Sequence, residues 1–173
     1  MNENIINKGR ETIFLGDSIT AWNSELKKYE NIKNYGVPGF ISRDIVWQLQ
    51  GDDEEVIFGH TAVLMIGVND ILMGFSVEKI VLNINEIINM LKNRFERIIL
   101  VSVLPIDNLK MNKEIREINQ EIKDIEGTEF LDIHNLFLNE HDMIDYKFTT
   151  DGAHLSNYGY ETFNQHLFKI LNK

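Results

Sequence analysis

Short apolar runs alternate with longer segments of helical period along this chain of 173 residues. Such alternation predicts a β/α repeat, because a helix bundle or a β-sandwich would repeat only one kind of element. Two of the runs are almost wholly apolar, as is typical of strands covered on both faces. We therefore predict an α/β fold: a three-layer αβα sandwich around a parallel sheet with right-handed crossovers. The predicted strands lie near residues 12–15, 32–35, 61–66, 98–104 and 128–131.

Helical period is clearest in two segments between these strands. Residues 77–91 carry apolar side chains every three or four positions, and Ser76 precedes them as a candidate N-cap. Residues 111–125 repeat in the same way before Gly127, a predicted helix stop. A helix is predicted over residues 41–50, while residues 52–59 are ambiguous. A C-terminal helix with Ser156 as its candidate cap is marked by Phe163, Leu167, Ile170 and Leu171.

The composition, with 43% hydrophobic and 25% charged residues, is that of a globular protein. The length suits one core, so we predict that residues 1–173 form a single domain. No apolar run approaches the roughly 20 residues of a membrane span, and residues 1–10 lack the apolar core of a signal peptide. These observations predict a cytoplasmic protein that does not act at a membrane.

Charge and cysteine content exclude several kinds of chemistry. The chain has no cysteine, so disulfides, thiolate catalysis and cysteine-based metal sites are ruled out. A net charge of -10 argues against a nucleic-acid partner, because phosphate contacts need a basic face. A neutral or cationic small molecule is the better candidate partner, and histidine and carboxylates must carry any chemistry.

Ligands of open parallel sheets bind beyond the carboxyl ends of the strands, and polar turns follow three of the predicted strands there. The turns read GDSIT at 16–20, NYGVPG at 34–39 and GVND at 67–70. A fourth segment, DGAH at 151–154, precedes the last helix and places a histidine three residues after a carboxylate. Together these four segments hold the residue types of a catalytic triad.

Ser18, His154 and Asp151 match the needs of nucleophilic catalysis. A serine hydroxyl requires an adjacent base, and the base requires a partner that fixes its tautomer. Ser18 in a strand-to-helix turn would expose its oxygen, and N–H groups at a helix start favour developing negative charge. The N–H of Gly39 and the side-chain amide of Asn69 would add donors to the same oxyanion. This constellation favours acyl transfer.

Taken singly, these residues have commoner structural interpretations. Ser18 would serve as a helix N-cap, Gly39 would form a tight turn beside Pro38, and Asn69 would cap a turn. We interpret Asp17 and Asp70 as structural, with Asp70 holding its loop by hydrogen bonds. The other histidines, His60, His134, His141 and His166, are interpreted as surface or loop residues. The large aromatic residues, namely Trp22, Trp47, Phe75, Tyr146 and Phe148, are interpreted as core more often than pocket. For Phe75 and Phe148, which lie near motif segments, contact with an acyl group stays open as the alternative.

Ser18 in Gly-Asp-Ser, Gly39, Asn69 in Gly-x-Asn-Asp and His154 in Asp-x-x-His follow the order found in the SGNH, or GDSL, hydrolase family. Residues 12–159 resemble that family. The resemblance implies the SGNH-hydrolase fold with a flavodoxin-like five-stranded sheet, no metal or organic cofactor, and esterase, thioesterase, lipase or carbohydrate deacetylase activity. It also implies that Ser18 N, Gly39 N and the Asn69 amide form the oxyanion hole.

The chain departs from the family pattern at two positions. Ile19 replaces the leucine of the family's nickname, a volume-conserving change that should leave the turn intact. Phe40 stands where many members carry aspartate, so a contact or capping role cannot be carried over to it. We expect Ser42 to cap the following helix instead. A metal site formed by Asp132 and His134 is disfavoured.

The favoured function is hydrolysis of carboxylic esters through an acyl-enzyme, with short acyl groups, acetyl above all, removed from a carbohydrate or another small alcohol. The predicted elements use most of the chain, so little remains for a lid, and residues 132–150 are the candidate wall of the alcohol site. A thioesterase or acyltransferase with the same triad is the first alternative. The second is a non-catalytic flavodoxin-like binding module, against which the chain lacks Gly-x-Gly-x-x-Gly after the first strand. The oligomeric state stays open.

Overall fold

The computed structural model describes residues 10–51 and 57–173, and its centre is one parallel sheet with the strand order β2-β1-β3-β4-β5. The chain runs from β1 outwards to β2 and then crosses to β3 on the other side of β1, as in a flavodoxin-like sheet. The predicted fold is confirmed. The strands are β1 (Thr12–Gly16), β2 (Ile32–Asn34), β3 (Gly59–Met65), β4 (Phe95–Val101) and β5 (Glu129–Leu131).

Six α-helices connect or follow these strands in the described residues. Ser76 and Ser156 cap helices as predicted, because their hydroxyls accept hydrogen bonds from Lys79 N and Gly159 N at 3.3 and 3.1 Å. Within residues 10–51 and 57–173, no helix has the length and apolarity needed to cross a membrane. The helices are α1 (Ser18–Ala21), α2 (Ser42–Gln50), α3 (Val68–Leu72), α4 (Val77–Lys92), α5 (Leu109–Ile122) and α6 (Asn157–Leu171).

The largest differences from the predicted boundaries are in β4 and α5. Strand β4 begins and ends three residues earlier than the apolar run suggested, and its end is early because a side chain rather than a strand pairs with the backbone of Val103. Helix α5 ends at Ile122, before the predicted stop at Gly127, and residues 123–127 form turns. Of the ambiguous residues 52–59, residues 52–56 lie outside the described part of the chain.

The sheet separates two apolar layers. Side chains of a strand point alternately to its two faces, so Ile13 and Leu15 of β1 join the layer with α2, α4 and α5, whereas Phe14 joins the layer with α6. The same alternation continues in the neighbouring strands β3 and β4. Because both faces of the sheet are covered, polar groups with a chemical role are confined to the strand ends.

Two asparagines of α5 secure the segment that follows β4. The amide of Asn119 pairs with the N–H and C=O of Val103 at 2.7 and 2.9 Å. Two helical turns earlier, Asn112 pairs with the N–H and C=O of Ile106 at 2.8 and 2.7 Å. Buried backbone groups need such partners, and here side chains supply what a further strand would otherwise provide.

We expect Asn119→Leu to lower the free energy of unfolding by about 2–4 kcal/mol, because it leaves two buried backbone groups without partners. Asn93→Leu is the matched control, since Asn93 is exposed and makes one long hydrogen bond of 3.2 Å to Asn89 O. Urea denaturation with unchanged slopes measures both. Equal stabilities of the two variants would show that the Asn119 pairing contributes little.

Candidate active site

Ser18 lies where β1 gives way to α1. The carboxylate of Asp17 accepts a hydrogen bond from Ile19 N at 3.0 Å and is the N-cap of α1. Ser18 is therefore the first residue of the helix, and its hydroxyl is not used for capping. The Ser18 side chain is instead free to point towards the loop that precedes α6.

That loop presents His154 and Asp151. The Asp151 carboxylate accepts from His154 N at 2.8 Å and from Ala153 N at 3.0 Å, which closes a tight turn. Gly152 in this turn has a φ of 92°, a conformation that favours glycine, and its carbonyl accepts from Asp107 N at 2.7 Å. The segment after β4 is thus hydrogen-bonded to the loop that carries Asp151 and His154.

The structure brings Ser18, His154 and Asp151 into one hydrogen-bonded chain. His154 Nδ1 lies 2.6 Å from Asp151 Oδ2, and His154 Nε2 lies 3.1 Å from Ser18 Oγ. Hydrogen bonds from the His154 side chain and then its backbone lower the pKa of Asp151 to about 2, so this carboxylate is ionised at neutral pH. It can only accept, so Nδ1 carries the proton and Nε2 offers its lone pair to the serine hydroxyl.

Gly39 and Asn69 lie in the turns after β2 and β3 and are joined through Phe40. Asn69 Nδ2 donates to Phe40 O at 2.9 Å, which leaves its second N–H for another acceptor. Gly39 has a φ of 85°, while a Cβ there would meet no atom within 4 Å, so backbone conformation rather than space requires glycine. In the described part of the chain, the Gly39 N–H makes no hydrogen bond.

Asp70 anchors the turn after β3 to the start of α2, as predicted for a structural carboxylate. It accepts from Ser42 N at 2.9 Å and from Ser42 Oγ at 2.5 Å, and Asn83 Nδ2 donates to the same hydroxyl at 2.8 Å. The expectation that Ser42 caps α2 is wrong, because its hydroxyl is committed to this buried network. Asp44 instead accepts from Ile41 N at 2.9 Å at the helix start.

Asp17 is the most perturbed acid beside the site. Only 1% of its surface is exposed, and burial raises its pKa from 3.8 to about 6. The hydrogen bond from Ile19 N and the nearby His154 oppose that rise, whereas the charge of Asp70 adds to it. The prediction of a structural Asp17 agrees with its capping role.

Helix α6 holds α1 in place through residues that the sequence did not single out. The hydroxyl of Tyr160 donates to Ile19 O at 2.9 Å, and burial and the charge of Asp17 raise its pKa. Asn23 and Asn164 exchange two amide hydrogen bonds of 2.7 and 3.0 Å. Helix α1, which begins at Ser18, is thereby fixed to α6, the helix that follows His154.

The interpretation of Trp22 as a core residue is wrong. Its side chain is 52% exposed, and its indole centroid lies 4.6 Å from the imidazole centroid of His154. A signal was available, because Trp22 follows Ser18 by four positions, the spacing of one helical face. Trp47 and Tyr146 are exposed as well. Of the two aromatic residues left open, Phe75 is exposed and Phe148 is in the core.

His134 also departs from its interpretation as a surface residue. It is 3% exposed, its Nδ1 lies 2.8 Å from Val103 O, and burial lowers its pKa. His60, His141 and His166 are partly or fully exposed as expected. Within residues 10–51 and 57–173, no three or more histidines and acids are grouped as metal ligands, and Asp132 with His134 forms no such group.

Comparison with models of known protein families identifies the family of this chain. The GDSL-like lipase/acylhydrolase family matches residues 14–162. The chain belongs to this family. The family is described as one of lipases and acylhydrolases. The matched range includes every segment that contributes to the site, from Ser18 to His154.

Relatives of this GDSL-like hydrolase differ in length. An N-acylneuraminate cytidylyltransferase of Streptococcus agalactiae is 27% identical over 166 residues, which cover 88% of this chain and 36% of that protein. The chain thus spans about a third of the length of the curated relatives that it matches.

Solved structures of similar fold come from several bacteria. A protein from Bacteroides fragilis assigned as an acylhydrolase has a TM-score of 0.83 at 18% identity, over 97% of this chain and 89% of that one. An acetylxylan esterase from Geobacillus stearothermophilus has a TM-score of 0.73 at 17% identity, over 96% and 95% of the two chains. At these identities the likeness establishes a shared fold.

The raised pKa of Asp17 predicts a pH-dependent stability. The folded chain binds this proton more tightly than the unfolded chain, so the stability from Asp17 is full below pH 3.8 and is lost as the pH rises through about 6. Asp17→Asn keeps an oxygen for Ile19 N but cannot ionise. From pH 5 to pH 8, we expect the variant to gain about 1–2 kcal/mol relative to the unchanged chain.

Chemical denaturation at both pH values measures this gain. Asp124→Asn, at an exposed position after α5, is the matched control and should show no such trend. A constant difference between Asp17→Asn and the parent chain across this pH range would mean that Asp17 titrates as an ordinary carboxyl.

Proposed function

We propose that this chain hydrolyses carboxylic esters through an acyl-enzyme, with Ser18 as the nucleophile, His154 as its base and Asp151 as the residue that orients the base. One observation carries the proposal: Ser18 Oγ, His154 and the ionised Asp151 form a hydrogen-bonded chain with contacts of 3.1 and 2.6 Å. Its two contacts have the lengths that a nucleophile, its base and the orienting acid require.

In the proposed acylation, Ser18 Oγ attacks the ester carbonyl while His154 Nε2 takes the serine proton. The imidazolium then gives that proton to the leaving alcohol as the C–O bond breaks, and the acyl group stays on Ser18. Water, activated by the same imidazole, releases the acid and restores the serine. Asp151 remains ionised throughout and stabilises the imidazolium.

The proposed oxyanion hole consists of the backbone N–H groups of Ser18 and Gly39 and the second amide N–H of Asn69. Three features support it. Ser18 N lies at a helix start, Gly39 N is unpaired among the described residues, and the Asn69 amide is held against the neighbouring Phe40. Donors fixed before the reaction stabilise developing charge without reorganisation.

The proposed substrate is a short acyl ester, acetyl above all, of a carbohydrate or another small alcohol. Most of the chain after residue 132 packs into the fold rather than forming a lid, with Phe137, Ile144 and Phe148 buried. The acetylxylan esterase and the N-acylneuraminate cytidylyltransferase, to which the chain is similar, are both named for acylated carbohydrates. The same triad would serve a thioesterase or acyltransferase, which remains the alternative.

A second candidate is hydrolysis of esters with longer acyl chains. Leu72, Met73 and Phe75 follow Asn69 closely in sequence, and their side chains are exposed. Exposed apolar side chains beside an oxyanion donor would contact an extended acyl chain. We call Leu72, Met73 and Phe75 the apolar rim. The acyl length that the enzyme prefers distinguishes the two candidates.

We expect a fluorophosphonate to label Ser18 and no other residue, because the reagent traps a serine that is activated in an oxyanion site. Ser18→Ala should abolish both labelling and ester hydrolysis, with mass spectrometry locating the adduct. Asn69→Ala is the contrasting variant, which should still be labelled while kcat falls about 10²–10³-fold. Label on another residue, or full turnover by Ser18→Ala, rules out the proposed nucleophile.

A series of p-nitrophenyl esters from acetate to decanoate tests the acyl length. We expect kcat/KM to be highest at acetate and to fall with chain length, because Phe137, Ile144 and Phe148 are buried in the fold and do not extend over a long acyl chain. Acyl-coenzyme A run in parallel tests the thioesterase alternative. A maximum at eight or more carbons would favour the apolar rim as an acyl site, and a preference for thioesters over every oxygen ester would replace the proposal.

A further inference from the structure

Trp22 occupies a distinctive position beside the candidate triad. It ends α1, where its N–H donates to Ser18 O at 2.9 Å. Its ring packs on the imidazole of His154 at 4.6 Å with the planes tilted by 40°, yet about half of the side chain stays open. An indole that packs on the imidazole and stays half exposed leaves apolar surface available to a ligand.

The chemistry of the reaction fixes which part of the substrate lies near Trp22. His154 Nε2 must deliver its proton to the oxygen of the leaving alcohol, so that oxygen comes within hydrogen-bond distance of Nε2. The carbonyl oxygen, by contrast, faces the donors at Gly39 and Asn69. A side chain packed on the imidazole therefore borders the alcohol and not the acyl chain.

We propose that Trp22 is the specificity-determining residue for the alcohol and that a neutral sugar ring stacks its C–H face on the indole. The inference rests on the proposed ester hydrolysis and names the residue that contacts the alcohol part of the ester. The electron-rich indole face attracts the polarised C–H groups of a pyranose ring. The Trp22 side chain has only two rotatable bonds and packs on His154, so little conformational entropy is lost when a ligand binds to it.

A cationic alcohol such as choline is disfavoured at this place, although indole faces also bind cations. His154 becomes an imidazolium when it takes the serine proton, and Trp22 packs directly on that ring. A second positive charge on the same indole would repel the imidazolium when the transition state forms. A neutral ring avoids this repulsion.

The test compares two acetyl esters that differ only in the alcohol: an O-acetylated methyl xyloside and ethyl acetate. Trp22→Ala should lower the ratio of kcat/KM for the xyloside ester to kcat/KM for ethyl acetate about tenfold, mainly through the KM of the xyloside ester. Trp22→Phe should retain most of the preference for the sugar. Trp47→Ala is the matched control, because Trp47 is also exposed but packs under Arg43 on α2.

An equal loss on both esters would mean that Trp22 only supports His154, and it would overturn the proposal. So would unchanged kinetics, or a Trp22-dependent preference for acetylcholine over the xyloside ester. A binding measurement separates this inference from the catalytic one. Because the chain has two tryptophans, Trp47→Phe leaves Trp22 as the sole indole, and methyl xyloside should change its fluorescence.

Saturable binding without hydrolysis of either ester would support the sugar site while contradicting the proposed ester hydrolysis. Hydrolysis of both esters without any fluorescence change on adding the xyloside would support the triad and contradict the role of Trp22.

Discussion

Because α-helices cover both faces of the sheet, the strand ends are the places where reactive polar groups meet solvent. In a parallel sheet the carboxyl ends of neighbouring strands lie at one edge. Strand β1 lies between β2 and β3, so the turns that carry Ser18, Gly39 and Asn69 converge there. Residues far apart in sequence meet for this reason, and His154 reaches the same edge from the loop before α6.

The pKa values of three carboxylates around the site are shifted in different directions because their surroundings differ. Asp151 is exposed and receives hydrogen bonds from His154, so its pKa is lowered and it stays charged. Asp17 and Asp70 are buried, and desolvation raises the pKa of both. Their hydrogen bonds go to backbone and to Ser42, which suits them to hold the turns rather than to exchange protons with a substrate.

Local signals in the sequence predicted much of this structure. Apolar runs located the strands, and Ser76 and Ser156 marked helix starts, because these features depend on neighbouring residues alone. The burial of His134 depends on long-range packing, so the sequence did not reveal it. The position of Trp22 could have been predicted from its spacing of four residues from Ser18. The end of β4 was misplaced for a related reason: its apolar run continues, but the amide of Asn119 takes the pairing that a strand would have given Val103.

The side-chain pairing of α5 with the segment after β4 bears on where this fold tolerates inserted residues. Asn119 and Asn112 fix residues 103–106, and Asp107 N then holds the carbonyl of Gly152 beside His154. We expect a longer β4–α5 connection to break these hydrogen bonds and to displace His154. Insertions that change the substrate range are therefore expected in other turns, such as residues 73–76 between α3 and α4. Added residues there leave the hydrogen bonds that position His154 intact.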